Sequence, residues 1–204
     1  MIYTIGPYLL PELVRKSITR TPQMPLMLQE NFTVKLLEML RTGEIDCAIL
    51  AEPFPDTGLA IAPLYDEPFL AAVPSSHPLA VRNNVSALEL KNETMLLLGA
   101  GHCFRDHVLE VCPEFARFAS NAEGIRRTFE GSSLETIKHM VSAGMGVSDD
   151  AHIRYLPIKE SDGSAPPMRR VVLAWRRSFT RYEAIAALRN AIYACELPGV
   201  KRLS

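Results

Sequence analysis

The sequence predicts a doubly wound α/β fold. Short apolar stretches, typical of buried strands, alternate with longer stretches whose apolar residues recur at helical spacing. The 204 residues are enough for one large domain or two small ones. The composition then changes at Pro74-Ser75-Ser76-His77-Pro78, where prolines and serines indicate a passage into a second subdomain.

Composition excludes several classes of protein. The net charge of −1 gives no global reason for this chain to hold nucleic acid. No apolar run approaches the ~18 residues of a membrane span, and no secretion signal opens the chain, so we expect a cytoplasmic protein without a membrane partner. Four cysteines do not make a disulfide scaffold in a chain of this length, and their spacing does not suit zinc. We therefore expect reduced cysteines, no metal site and no cofactor.

The first elements place Thr4 at an edge where ligands bind. A strand is predicted to end near Thr4, and Gly6-Pro7 breaks it before a helix that continues to Ile18. In open α/β sheets, ligands bind at the carboxyl ends of strands. A simple capping role for Thr4 is an equal alternative. A buried strand at 25–30, a helix capped by Asn31 or Thr33 and ending at Gly43, and an apolar strand of the parallel type at 44–51 follow.

The later elements continue this alternation. Strands are predicted at 59–64, 68–73, 94–98, 126–130, 153–158 and 170–175, and helices at 85–90, 114–118, 132–144 and 180–194. A turn at Tyr65-Asp66-Glu67 separates the first two strands. The apolar start Met145-Gly146-Val147 is cut off by Ser148-Asp149-Asp150 after three residues, for which we have no physical account.

The stretch 101–113 holds two cysteines in contrasting surroundings. It follows the strand at 94–98 and a glycine-rich turn, and a helix is predicted to open at Gly101-His102. Cys103 then has histidines, an arginine and a helix N-terminus within local reach, and all three favour the reactive thiolate. Cys112 lies between Val111 and a proline and has none of them.

If this stretch is helical, its nine-residue spacing separates the two cysteines by roughly 13 Å. A disulfide needs Cα atoms within about 7 Å, so the two thiols can bond only if the segment refolds. One interpretation is a redox switch. The other is that both are small buried hydrophobes, which is also the role we expect for Cys47 and Cys195.

Four segments carry a specific resemblance. The chain is similar to the hydrogen-peroxide-sensing branch of the LysR-type transcription regulators in the segments Thr4–Pro11, Ile45–Leu50, Gly101–Asp106 with Cys112, and Ser133–Thr136. The motif Gly-His-Cys-x-Arg-Asp with a second cysteine nine residues later is the discriminating one. The likeness covers nearly all of the chain.

The resemblance implies two Rossmann-like subdomains of the periplasmic-binding-protein type II kind, linked by two crossover strands. Residues 1–73 with 172–204 would form subdomain I, and residues 74–171 would form subdomain II, which holds the cysteines. The family's N-terminal winged helix-turn-helix is not found before Thr4, so an isolated regulatory domain is expected. DNA binding would belong to that absent part, and homodimers or homotetramers would form through the regulatory domain.

The same resemblance implies a site and a mechanism. Cys103 matches the cysteine that peroxide oxidises to a sulfenic acid, and Cys112 matches the one that then forms the disulfide. Thr4, Thr33, His102, Arg105 and Asp106 match residues that line the family's peroxide pocket. The switch would alter the oligomer and activate antioxidant genes, and glutaredoxin or thioredoxin would restore the thiols.

Two other functions stay open. A LysR-type domain could instead bind a small organic ligand between its subdomains, with Ser132, Ser133 and Thr136 at the ligand's polar group and incidental cysteines. A thiol peroxidase would share the cysteine chemistry but requires turnover, and no Cys-x-x-Cys reductant motif is present. We therefore expect a regulator, not an enzyme.

Overall fold

The structure, a computed structural model, describes residues 1–55, 58–113, 128–131, 133–142, 153–159 and 162–203. It divides the chain into two compact units, Met1–Glu67 with Arg169–Ser204, and Pro68–Met168. The sequence placed the two crossings at 73 and 172 instead. The first crossing comes earlier because Leu70–Pro74 pairs with Ile153–Pro157 inside the second unit. The predicted helix at 114–118, Ser132 and the segment 145–150 lie outside the described residues.

Helices and strands alternate along much of the chain. In order they are α1 (Gly6–Arg20), α2 (Thr33–Thr42), β1 (Cys47–Glu52), β2 (Ala60–Pro68), β3 (Leu70–Pro74), α3 (Ala87–Leu90), β4 (Met95–Leu98), α4 (Cys103–Val111), β5 (Thr128–Gly131), α5 (Leu134–Ser142), β6 (Ile153–Pro157), β7 (Met168–Trp175), α6 (Tyr182–Tyr193) and β8 (Lys201–Arg202). A short 3₁₀ turn, Pro78–Val81, and the strand β8 were not predicted.

The first unit is built on a sheet in the order β1-β7-β2-β8. The apolar run of β1 is buried from Ala48 to Ala51, as its composition predicts. Its partner β7 runs antiparallel, so the expectation of parallel pairing for β1 is wrong for this neighbour. The Ile2 N–H donates to the Ile49 carbonyl, and Ile2 also forms a parallel bridge with Asn31. The N-terminal residues therefore lie directly beside the sheet.

The segment 25–30 is not the buried strand that the sequence predicts. Most of it is exposed, Met27 to 94%, and only the next residue, Asn31, forms a bridge. Pro22 and Pro25 lack the N–H group that a paired strand supplies. An apolar composition was therefore mistaken for burial.

Helices α1 and α2 each bury one face. Leu9 and Leu13 of α1 are buried, and α1 packs against α6, but Ile18 near its end is 69% exposed. Helix α2 begins at Thr33 with Phe32 as its N-cap, so neither Asn31 nor Thr33 caps it through a side chain. Gly43 ends it as predicted, in the left-handed conformation that glycine tolerates.

Strand β2 continues through the predicted turn. Tyr65 and Asp66 pair with Arg202 and Lys201 of β8, and Tyr65 is buried. The polar Asp66 and Glu67 resemble turn residues in composition, but both accept hydrogen bonds from arginines of β7. The turn prediction is therefore wrong, because charged partners far along the chain stabilise an extended conformation here.

The second unit has two small sheets around an apolar core. Strands β3 and β6 pair antiparallel, and β4 and β5 pair in parallel. Helix α3 begins with a complete capping box between Ser86 and Glu89. The core of buried residues lies between these elements and comprises Phe69, Val73, Ala80, Val85, Leu90, Cys112, Leu156 and Ile158.

Candidate functional site

Cys103 stands at the start of α4, directly after a tight turn. Gly99 donates its N–H to the Gly131 carbonyl, which ties the end of β4 to β5. Gly101 has φ +95°, a conformation that other residues rarely adopt, and His102 is the N-cap of the helix. The strand-turn-helix geometry predicted around Cys103 is therefore present.

The residues next to Cys103 in the chain differ in burial and in charge. The Cys103 side chain is half-buried and lies in the first turn, where the helix dipole favours negative charge. His102 is buried, and the Arg105 guanidinium donates through Nη1 to the Leu98 carbonyl at 3.2 Å. Asp106 is exposed and occupies the favourable first-turn position for an acidic side chain. Of the four predicted residues here, three are at least partly buried.

Cys112 lies at the other end of α4, in a different environment. It is only 2% exposed and belongs to the apolar core of the second unit. Its backbone N–H donates to the Val108 carbonyl at 2.8 Å as the helix ends. Nine helical residues separate the two cysteines by roughly 13 Å, which is beyond the ~7 Å of a disulfide.

Apolar packing holds α4 in place. Phe104 stacks on Phe69 with ring centroids 5.6 Å apart, and Val108, Leu109 and Val111 pack against the same core. A helix of this length is marginal by itself in water, so tertiary packing supplies its stability. All four cysteines are present as thiols. The helix can therefore come apart only if these contacts are lost.

Thr4 and Thr33 lie in the first unit, and both are buried. Thr33 is the first residue of α2, and its Oγ1 atom has no hydrogen-bond partner among the residues that the structure describes. A buried hydroxyl without a partner costs about 1–3 kcal/mol, which a bound polar molecule would recover. Thr33 thus has the chemistry of a ligand-binding residue.

Arg169 is a residue that the sequence reading missed. Its side chain is buried, and its Nη1 donates to Thr4 Oγ1 at 2.9 Å while its Nε donates to Glu67 Oε2 at 2.6 Å. Arg169 stands 165 positions from Thr4 in the chain, so no local pattern relates them. The only signal in the sequence is a pair of arginines, Arg169 and Arg170, at the start of an otherwise apolar strand.

The other two cysteines, Cys47 and Cys195, lie in surroundings that disfavour a reactive thiolate. Burial raises the pKa of the Cys47 thiol to about 11, with a smaller contribution from Asp46. Burial also raises the pKa of Cys195, whose Sγ donates to the Ala191 carbonyl at 3.3 Å. Both shifts disfavour the thiolate, in agreement with the packing roles expected for them.

In the part of the chain that the structure describes, no cluster of three or more histidine, cysteine or acidic side chains is suited to a metal ion. Within the same residues, no helix has the length and apolar character to cross a membrane.

Comparison with known proteins identifies relatives over most of the chain. Residues 1–194 match the family of LysR substrate binding domains. A hydrogen peroxide-inducible genes activator of Pectobacterium carotovorum subsp. carotovorum is 34% identical over 196 residues, which cover 91% of this chain and 63% of that protein. The chain therefore spans less than two thirds of the length of this relative.

Two solved structures are similar throughout. A reduced form of OxyR from N. meningitidis superposes with a TM-score of 0.84 at 42% identity, covering 100% of this chain and 96% of that one. An H2O2-bound cysteine mutant of Corynebacterium glutamicum OxyR gives a TM-score of 0.76 at 29% identity, covering 94% of this chain and 62% of that one. The predicted fold, two α/β subdomains of the periplasmic-binding-protein type II kind, is thereby confirmed.

Proposed function

Because the chain belongs to the family of LysR substrate-binding domains, we propose that it is the peroxide-sensing regulatory domain of a LysR-type transcription regulator. The placement of Cys103 and Cys112 at opposite ends of α4 carries this proposal, since it separates a reactive position from a buried one. The relatives named above, which include a hydrogen peroxide-inducible activator and an H2O2-bound OxyR, support it.

The first step oxidises Cys103. Its thiolate attacks one oxygen of hydrogen peroxide, an S–O bond forms as the O–O bond breaks, and the departing hydroxide takes a proton to leave as water. The sulfur loses two electrons and peroxide gains them. The first turn of α4 stabilises the anionic sulfur before attack.

The second step forms the disulfide. The Cys112 thiol condenses with the sulfenic acid, the S–S bond forms, and a second water leaves. Because the helix holds the two sulfurs apart, α4 must unwind and Cys112 must leave the apolar core. This loss of order in 103–112 is the structural signal that repacks the subunit interface.

Peroxide binding falls to two threonines and to residues at the start of α4. Thr4, Thr33, His102 and Arg105 supply donors for the peroxide oxygens, as preorganised donors do at other reacting oxygens. The buried Thr33 hydroxyl supports this role most directly. Asp106, being exposed, orients neighbouring donors and does not itself attack.

In the whole protein, DNA binding, subunit assembly and reduction of the disulfide add to peroxide sensing. Its DNA contact belongs to a winged helix-turn-helix outside this chain, and its regulatory domains assemble as homodimers or homotetramers. A thiol reductant such as glutaredoxin or thioredoxin restores the dithiol in the cytoplasm. Transcription of antioxidant genes is the output, and the domain itself turns over no substrate.

Stoichiometric peroxide tests this function. We expect one equivalent to convert Cys103 and Cys112 into a single intramolecular disulfide, detected by mass spectrometry after proteolysis. A domain whose thiols persist at this dose is not a peroxide sensor.

A metabolite-sensing LysR-type domain is the rival function. It predicts a thermal shift with small organic acids and none with peroxide, and a loss of that shift on Ser133→Ala. Steady peroxide consumption in the presence of a thioredoxin-type reductant would instead favour a thiol peroxidase.

A further inference from the structure

Three buried or partly buried polar residues of the first unit form one hydrogen-bonded chain. Arg169 stands between Thr4, to which Nη1 donates at 2.9 Å, and Glu67, which accepts from Nε at 2.6 Å. The Arg169 and Glu67 side chains are 5% and 24% exposed, so this ion pair is mostly shielded from water.

The direction of these bonds determines what Thr4 can offer. A guanidinium has only donors, so Thr4 Oγ1 must accept from Arg169. A hydroxyl that accepts from a fixed donor directs its own hydrogen elsewhere. Thr4 is therefore oriented as a donor, provided that Arg169 keeps its place.

Glu67 controls the place of Arg169. An arginine side chain has several rotatable bonds, and its donor geometry depends on a fixed acceptor. Glu67 lies on β2 and Arg169 on β7, neighbouring strands of one sheet, so the carboxylate is itself held by regular structure. Asp66, the adjacent residue on β2, pairs with exposed Arg170 and not with this chain of bonds.

We propose that Glu67 is a positioning residue for peroxide sensing. It fixes the Arg169 guanidinium, which in turn orients the Thr4 hydroxyl as a donor to a peroxide oxygen. Glu67 touches neither peroxide nor sulfur and acts through Arg169 alone. The inference rests on the proposed function and adds to it a residue that the family resemblance did not supply.

The test compares two reactions of Cys103 in single-turnover experiments. Oxidation by hydrogen peroxide depends on the oriented donor, whereas alkylation by iodoacetamide reports the thiol alone. Glu67→Ala should slow the oxidation on the order of tenfold, the scale of one orienting charged hydrogen bond, and leave alkylation unchanged. Glu67→Gln, which keeps an acceptor oxygen, should restore most of the rate. Asp66→Ala is the matched control and should oxidise at the wild-type rate.

A double-mutant cycle separates positioning from structural damage. In a Thr4→Val background, Glu67→Ala should cause no further loss, because the group that Glu67 orients is gone. Additive losses, equal losses in oxidation and alkylation, or a wild-type oxidation rate in Glu67→Ala would each overturn the inference alone. A wild-type domain inert to peroxide would overturn the proposed function and the inference together.

Discussion

The Thr4–Arg169–Glu67 group and helix α4 are held in contrasting ways. The first is fixed by directional, charge-assisted hydrogen bonds between residues that lie far apart in the chain. Glu67 and Arg169 are separated by 102 positions, and Thr4 and Arg169 by 165. The second is a nine-residue helix held by apolar packing and one aromatic stack. Charged bonds need particular geometry, while apolar contacts do not. The contrast teaches that directional bonds fix the first group in place, whereas packing without directional bonds suits the rearrangement proposed for α4.

The two regions also differ in how their stability is distributed, in a single ion pair or over several side chains. Breaking a buried ion pair by removing one partner costs about 3–5 kcal/mol, because an uncompensated charge remains. Opening a short helix loses partly buried side chains, each worth about 1–2 kcal/mol at most. A covalent S–S bond can offset the second loss, and the first unit can remain unchanged while it does so.

Removing the reactive end of α4 should have the largest effect. We expect Cys103→Ser to fold and to form no intramolecular disulfide with peroxide, since no sulfenic acid can arise at that position. Mass spectrometry of peroxide-treated protein measures this. Cys47→Ser is the matched control and should form the disulfide normally; a Cys103-independent disulfide at low peroxide would contradict the assignment.

The buried Cys47 thiol should respond to pH differently from an ordinary thiol. Burial favours the protonated thiol of Cys47, with a pKa of about 11 against an ordinary 9, so its thiolate appears only at higher pH. Between pH 7 and 9, its alkylation should be about a hundredfold slower than that of an unshifted thiol. Site-resolved labelling with iodoacetamide measures this. Ordinary labelling of Cys47 at pH 8 would show that the first unit opens readily.

Removing the charge that anchors Thr4 should destabilise the first unit. Arg169→Met should lower the free energy of unfolding by about 2 kcal/mol, less than for a fully buried pair because Glu67 retains some access to water. Urea denaturation measures this. Arg170→Met removes an exposed pair one residue away and should cost less than about 1 kcal/mol. Equal losses in the two variants would remove the contrast.

Loosening α4 should have the smallest effect on stability but a visible kinetic one. Phe104→Leu removes the stack on Phe69 and should cost about 1 kcal/mol. Because the helix then opens more easily, conversion of the Cys103 sulfenic acid to the disulfide should accelerate. Rapid quench with a thiol label measures that step. Tyr155→Leu, an exposed aromatic on β6, should leave it unchanged.

Local signals in the sequence predicted helix α4 and the contrasting surroundings of its two cysteines. The glycines before His102, the helix start at Cys103 and the apolar neighbours of Cys112 are all contiguous. Gly43 likewise marked the end of α2, because the left-handed conformation that ends a helix is a local property that favours glycine. Residue chemistry and spacing were enough for these elements.

The Thr4–Arg169–Glu67 group could not be predicted from residues that are neighbours in the sequence. Arg169 and Glu67 come close to Thr4 only because strands distant in the sequence pair with each other. The polar composition of Tyr65-Asp66-Glu67 is typical of a turn, and nothing nearby in the sequence indicates that these residues pair with a distant strand. The exposed segment 25–30 shows the opposite error, because an apolar composition does not specify what covers it. Burial and long-range pairing are properties of the whole fold.

The most direct test labels Cys103 and Cys112 before and after one equivalent of hydrogen peroxide. Before peroxide, we predict labelling of Cys103 and protection of Cys112, which is 2% exposed. After peroxide, both should resist labelling until a reductant is added, and Cys47 and Cys195 should be unaffected. A disulfide between Cys103 and Cys47 or Cys195 would contradict the switch that links the two ends of α4. Unchanged labelling of Cys103 after peroxide would also contradict it.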